Sequence, residues 1–249
     1  MPPNHVFLLH GMFGKPEQWN ACANYLHGRW QAHTPVLRIL DVVPDKRAIQ
    51  ALGDHIIAEM DAQGIERAVI AGNSLGGHVA IRMALCHPDR VAGLVLTGSS
   101  GLFERGFERK VPRRPSEAYM REKILEIFHD PVHLTEELIR DLRLFLADLR
   151  HVLQMVRFAK CAKHDNLRDL LPTITCPVLL VWGENDNITP PSVAREFHQL
   201  LPNSELHMIA SCGHVPMLEQ PEAFNDRIET FLTRVFQDTA QPASSLRTA

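Results

Sequence analysis

The pentapeptide GNSLG at positions 72–76 restricts the possible fold of this 249-residue chain more than any other feature. An apolar run at 69–71, typical of a buried strand, precedes it, and apolar residues with helical spacing follow it. A strand-to-helix turn this tight strains its central residue and leaves no room for side chains two positions away, which explains Gly72 and Gly76. The pentapeptide therefore predicts a sharp turn that presents the Ser74 hydroxyl at the carboxyl end of a strand.

Short apolar runs alternate with longer helical patterns along the chain. The runs span 6–9, 36–40, 68–71, 93–97, 178–182 and 205–209, and helical spacing is seen at 16–30, 45–63, 75–87, 191–200 and 221–236. Nearly continuous apolar runs indicate strands buried on both faces, and their alternation with helices requires crossover connections. The pattern predicts an α/β fold with a mostly parallel sheet of about six strands and helices on both faces.

The interval between the fourth and fifth runs breaks this alternation. About 80 residues contain only helical patterns, at 115–130 and 131–163. An apolar stripe recurs every three or four residues along the second pattern; it comprises Leu134, Leu138, Leu142, Phe145, Leu149, Val152 and Val156. We expect a helical cap at 102–169, inserted into a core domain of residues 1–101 and 170–237, with a flexible tail at 238–249. The alternative is an elaborate crossover packed on one face of the sheet.

A serine hydroxyl is a poor nucleophile at neutral pH unless a general base lies within hydrogen-bond reach and a third group orients that base. In an open parallel sheet these groups belong on loops at the carboxyl ends of neighbouring strands. Asp186 follows the fifth run and His214 follows the sixth, whereas Glu184 and Asp165 are competing carboxylates. We predict a catalytic triad of Ser74, His214 and Asp186.

Four segments together resemble α/β-hydrolase-fold enzymes: HGMFG at 10–14, GNSLGG at 72–77, GENDNITP at 183–190 and CGHVPMLEQPEAF at 212–224. The resemblance covers roughly residues 5–236. It implies an oxyanion hole formed by the backbone N–H groups of Met12 and Leu75, with His10 holding its loop in place. Phe13 and Val215, which lie beside these groups in sequence, are expected to contact the substrate. The 14 histidines form no H-E-x-x-H pattern and no Cys/His cluster, so we expect no metal, and we expect no cofactor.

The chain departs from the family pattern at its start, because the family usually begins with an antiparallel hairpin and only five residues precede Val6 here. We therefore expect a reduced sheet with the run 36–40 near one edge. Exposed edges invite pairing, so a homodimer through this edge is a hypothesis beside a monomer.

Three functions are compatible with the sequence. The main prediction is a carboxylic ester hydrolase. The alternative is a carbon–carbon bond hydrolase, because GSSGLFE at 98–104 and LTEELI at 134–139 resemble the meta-cleavage-product hydrolases. That family generally carries Trp where Val215 stands, and its cap arginine aligns near Leu142, with Arg143 adjacent. The third possibility is a ligand-binding sensor that retains the fold.

Composition limits the partners. A net charge of −3 gives the chain no general attraction to nucleic acid. The sequence contains no run of 18 apolar residues, so we expect no membrane span. The amino terminus lacks a signal-peptide pattern, and five scattered cysteines suit reduced thiols, so we expect a cytoplasmic protein acting on a small-molecule acyl substrate. Basic residues of the cap form either an anion-binding surface or a solvated face: Arg105, Arg109, Lys110, Arg113, Arg114, Arg143, Arg150 and Arg157.

Overall fold

The computed structural model describes residues 4–103 and 116–238. It confirms a six-stranded parallel sheet. The strands are β1 (His5–Leu9), β2 (Gln31–His33), β3 (Ala68–Asn73), β4 (Val91–Thr97), β5 (Val178–Gly183) and β6 (Ser204–Ile209). Their spatial order is β2-β1-β3-β4-β5-β6.

Alternate residues of the central strands enter two separate hydrophobic clusters, one on each face of the sheet. Phe7 and Ile70 lie in one cluster, whereas Leu8 and Val69 lie in the other. All four are fully buried, as expected for parallel strands covered on both faces.

Helices cover both faces. They are α1 (Asn20–Leu26), α2 (Ala48–Ala62), α3 (Leu75–Cys86), α4 (Glu117–Leu125), α5 (Glu136–Ala147), α6 (Leu149–His164), α7 (Pro191–Leu200), α8 (Pro216–Glu219) and α9 (Pro221–Asp238). The apolar residues of α2, α3 and α7 join the first cluster, and those of α1 and α9 join the second. The predicted α/β architecture is therefore confirmed.

The second strand is not where the sequence pattern suggested. The run 36–40 is irregular, and the strand beside β1 is the three-residue β2. Leu37 and Ile39 are buried, so the run is apolar because it packs against the core. The backbone N–H of Leu37 donates to His10 Nε2 at 3.0 Å, and that of Ile39 donates to the Leu37 carbonyl, so these groups are unavailable to a strand ladder.

The segment between β4 and β5 contains α4, α5 and α6. The helical pattern at 131–163 is divided at Asp148, which has an extended backbone and accepts a hydrogen bond from the N–H of Arg150 as the N-cap of α6. The break changes which residues face inward: Leu149 is 67% exposed, whereas Met155 and Phe158 are buried. The single apolar stripe predicted across this segment is therefore wrong at Leu149, whereas Val152 and Val156 are partly buried.

Two predictions lie at least partly outside the described residues. The basic stretch at 105–114 falls wholly in the gap at 104–115, and residues 239–249 of the expected tail lie beyond the last described residue. Among the helices in 4–103 and 116–238, none combines the length and apolar character needed to cross a bilayer.

Candidate active site

Ser74 occupies a strained turn between β3 and α3. Its φ of 54° and ψ of −118° lie in a region that non-glycine residues rarely adopt. The surrounding backbone holds this conformation: the N–H of Ser74 donates to the Thr97 carbonyl at 3.0 Å. The Ser74 carbonyl accepts from the N–H groups of Gly77 at 3.0 Å and Ser100 at 3.1 Å. The predicted sharp turn is present, and its central residue is Ser74.

Both flanking glycines are required by close backbone contacts. A Cβ on Gly72 would lie 2.3 Å from the carbonyl carbon and oxygen of Gly76. A Cβ on Gly76 would lie 2.2 Å from the carbonyl oxygen of Leu9 in β1. The first contact is with the backbone of α3 and the second with the backbone of β1, so a side chain at either position forces the turn to move.

Gly76→Ala is therefore expected to destabilise the protein by more than about 3 kcal/mol and to abolish activity, because the new methyl group overlaps fixed backbone. The matched control is Gly53→Ala in α2, where the new Cβ would meet the side-chain Cγ of Met83 at 2.9 Å. That atom belongs to a side chain and can shift, although Met83 is buried, so the control is expected to lose clearly less stability than Gly76→Ala. Urea denaturation of both variants measures the difference, and equal stabilities would contradict the steric argument.

Asp186 and His214 are hydrogen-bonded in the interior, on the loops after β5 and β6. Asp186 Oδ2 lies 2.9 Å from His214 Nδ1, and both residues are buried. The other carboxylate oxygen accepts from the N–H groups of Ile188 at 2.8 Å and Thr189 at 2.9 Å. The Thr189 hydroxyl donates to Oδ2 at 2.9 Å. The carboxylate is thus held in place as the acceptor for a proton on Nδ1. The other ring nitrogen, Nε2, takes no part in this hydrogen bond and can act as a base.

Two contacts place His214 beside the turn at Ser74. The side-chain amide of Asn73, the residue before Ser74, donates to the His214 carbonyl at 2.9 Å. A Cβ on Gly98 would lie 2.7 Å from His214 Nδ1, so the imidazole ring lies directly over Gly98. Gly98 follows Thr97, which binds the N–H of Ser74. Three loops that are distant in sequence therefore meet at the carboxyl ends of β3, β4 and β6.

The competing carboxylates are placed elsewhere. Glu184 is exposed. Asp165 Oδ2 lies 3.1 Å from His78 Nε2 and accepts from Arg82 Nε at 2.8 Å. Burial raises the pKa of the Asp165 carboxyl, but the hydrogen bonds from His78 and Arg82 outweigh burial and hold that pKa at about 2.

The loop that carries Met12 approaches Ser74. A Cβ on Gly11 would lie 3.3 Å from Ser74 Cβ, and the N–H of Gly14 closes the turn on the Gly11 carbonyl at 3.1 Å. His10 is buried and fastens this loop, with Nδ1 2.8 Å from the Gly11 carbonyl oxygen and Nε2 accepting from Leu37. Burial lowers the pKa of His10, in keeping with a neutral, structural imidazole.

Leu75 is the first residue of α3, a position whose N–H has no acceptor within the helix. Met12 and Leu75 thus lie on the two segments that border Ser74. This placement suits the oxyanion donors that the family resemblance implies.

The two expected substrate contacts differ in exposure. Phe13 is 55% exposed and meets Phe145 of α5 edge to face, with ring centroids 5.7 Å apart. Val215, directly after His214, is buried, and its N–H donates to Glu219. Phe13 is therefore placed at an accessible position, whereas Val215 lies in the packed wall of the site.

Sequence reasoning missed three residues that hold the loops around Ser74, Asp186 and His214 in place: Asn73, Thr189 and Glu219. Each stands inside one of the segments that resemble the family, and a polar side chain within those segments was the available signal. Within residues 4–103 and 116–238, no group of three His, Cys, Asp or Glu side chains is arranged to hold a metal ion.

A model of the alpha/beta hydrolase family matches residues 6–227. The chain belongs to the α/β-hydrolase family. This hydrolase is 34% identical over 193 residues to a 2-hydroxy-6-oxononadienedioate/2-hydroxy-6-oxononatrienedioate hydrolase from a Pseudomonas species. The match covers 70% of this chain and 66% of that relative, or about two thirds of its length.

Two solved structures of this family extend the comparison. A meta-cleavage product hydrolase from Pseudomonas fluorescens IP01 is 25% identical, with a TM-score of 0.76, over 93% of this chain and 91% of that chain. A thermophilic esterase from Thermogutta terrifontis is 26% identical, with a TM-score of 0.74, over 93% of this chain and 90% of that chain. The α/β-hydrolase therefore shares its fold with enzymes of both substrate classes considered from its sequence.

Proposed function

We propose that this α/β-hydrolase uses Ser74 as nucleophile, His214 as general base and Asp186 as the group that orients His214. The observation that carries the proposal is the buried hydrogen bond of 2.9 Å between Asp186 and His214. The backbone of His214 is in turn hydrogen-bonded to the side chain of Asn73, the residue before Ser74. This arrangement fits acyl transfer, in which a serine hydroxyl must lose its proton as it attacks a carbonyl.

The reaction proceeds in two halves. The Ser74 hydroxyl attacks the substrate carbonyl and gives its proton to His214, while the N–H groups of Met12 and Leu75 stabilise the negative oxygen. His214 then protonates the departing group, and an acyl ester remains on Ser74. Water, activated by the same imidazole, attacks this ester, releases the acid and restores the hydroxyl.

For the substrate we propose a conjugated diketo acid of the kind formed when an aromatic ring is opened, cleaved at a carbon–carbon bond. The support is the 34% identical relative, whose name describes a dienedioate hydrolase, and the matching fold of the meta-cleavage product hydrolase. Carbon is a poor leaving group, and it departs readily only where a conjugated carbonyl accepts its electron pair. Such a substrate supplies that conjugated carbonyl, and His214 can supply the proton that the new carbon centre requires.

An ester substrate is the second candidate, and the exposed position of Arg143 favours it. A diketo acid carries a carboxylate that a cation would bind. Arg143 is exposed and pairs with Glu117, Arg150 is exposed and pairs with Asp148, and Arg157 is also exposed. These arginines fit a solvated face of the helical segment better than an anion site. The likeness to the thermophilic esterase points the same way.

A substrate panel on the purified protein distinguishes these proposals. Loss of visible absorbance follows cleavage of a ring-fission diketo acid, and nitrophenol release follows cleavage of esters of rising chain length. We expect kcat/KM for the diketo acid to exceed that for nitrophenyl acetate by at least about tenfold. The reverse order would favour the ester hydrolase, and binding of these compounds without turnover would contradict both in favour of a sensor.

A further inference from the structure

Glu219, at the end of α8, is a buried carboxylate whose two oxygens both accept hydrogen bonds from backbone N–H groups. Oε1 accepts from the N–H groups of Gly213 at 3.0 Å and Val215 at 3.3 Å. Oε2 accepts from the N–H of His129 at 2.7 Å. The residue is only 8% exposed, so these three bonds offset the cost of removing its charge from water.

The same bonds fix the backbone of the catalytic base on both sides. Residues 213 and 215 are bound to Glu219, and the N–H of His214 donates to the Ile127 carbonyl at 2.8 Å. All three N–H groups of the 213–215 segment are therefore bonded outside it. The segment also packs closely against the turn after α4, because a Cβ on Gly213 would lie 2.5 Å from the Ile127 carbonyl oxygen.

Glu219 also joins two parts of the chain that are remote in sequence. Its two oxygens bind different partners, one in the loop after β6 and one in the turn that follows α4 in the helical segment. A shift of that turn therefore acts on the His214 loop through this carboxylate and through the Ile127 carbonyl.

We propose that Glu219 is a positioning residue for His214 and that it sets the placement of the base relative to the helical segment between β4 and β5. This inference rests on the proposed function of His214. Glu219 does not touch the reacting atoms; it acts through the backbone of the loop.

The amide in Glu219→Gln tests this assignment, since it retains one acceptor oxygen and turns the other into a donor. Whichever way the amide is oriented, its NH2 group faces a backbone N–H of His129 or of the His214 loop. Either the bond to His129 or the two bonds to Gly213 and Val215 are then replaced by donor–donor contacts. We expect kcat to fall about 10- to 100-fold with KM changed less than about threefold, because small displacements of a catalytic group are costly in rate.

The rate at which a fluorophosphonate labels Ser74 gives a readout that is independent of the natural substrate. We expect this rate to fall in parallel with kcat in Glu219→Gln, measured well below the melting temperature. Glu222→Gln is the matched control, because Glu222 is exposed in the first turn of α9 and the charge change is the same. A Glu219→Gln variant that labels as fast as this control would overturn the assignment, even if its melting temperature were lower.

Glu219→Asp covers the case in which the glutamine variant does not fold. It keeps the charge but is shorter by one methylene, so it cannot satisfy both the loop and His129. We expect it to fold and to label more slowly than the original protein, and an unchanged rate would overturn the assignment. Failure of the original protein to label at all would instead contradict the proposed function itself.

Discussion

Ser74→Ala is expected to lower kcat by about 10⁴- to 10⁶-fold on any substrate that the enzyme hydrolyses. In the proposed mechanism the acyl ester forms on the Ser74 hydroxyl, and neither His214 nor Asp186 takes over that role. The fold should persist, because the hydrogen bonds that hold the turn are made by backbone atoms of residue 74. Steady-state kinetics with the best substrate of the panel, together with thermal unfolding, measures both effects.

Ser192→Ala is the control for this substitution, since Ser192 is exposed on α7. We expect its turnover to match that of the original protein. Turnover within tenfold of the original in Ser74→Ala would show that the reaction does not pass through this serine.

Asp186→Asn is expected to lower kcat by about 10³- to 10⁴-fold with little change in KM. The N–H groups of Ile188 and Thr189 both point at Oδ1, so the amide oxygen takes that position. The NH2 group then faces His214 Nδ1 and donates to it. This bond selects the tautomer that carries its proton on Nε2, and that nitrogen can no longer accept the proton of Ser74.

The matched control is Glu184→Gln, which makes the same charge change two residues away on the same loop. Because Glu184 is exposed, we expect kcat within about twofold of the original value. A large loss in Glu184→Gln together with near-normal kinetics in Asp186→Asn would move the acid to Glu184, the other carboxylate that the sequence offered.

The sheet and the placement of the three candidate residues could be predicted because each follows from a local pattern. Buried parallel strands need continuous apolar runs, and the turn at Ser74 needs two glycines where backbones meet at van der Waals contact. Asp186 and His214 follow strands β5 and β6, and the register of a parallel sheet brings strand ends together. These constraints are written in short segments, so a single sequence reveals them.

Other features depend on which group forms a hydrogen bond with a given backbone N–H, and a pattern of apolar residues does not reveal that partner. The run 36–40 is as apolar as a strand, yet the N–H of Leu37 binds the imidazole of His10. The helical spacing at 131–163 continues across Asp148, although the side chain of Asp148 caps a new helix there. The sequence alone does not distinguish Glu219 from a solvent-exposed residue, because its hydrogen-bond partner His129 is 90 residues away in sequence.

The most direct test of the account is to label the protein with a fluorophosphonate, digest it and locate the adduct by mass spectrometry. We expect one adduct on each chain, on the peptide containing Ser74, with no adduct there in Ser74→Ala and a much slower reaction in His214→Ala. An adduct on Ser99 or Ser100 in place of Ser74, or an undiminished rate in His214→Ala, would contradict the assignment of nucleophile and base.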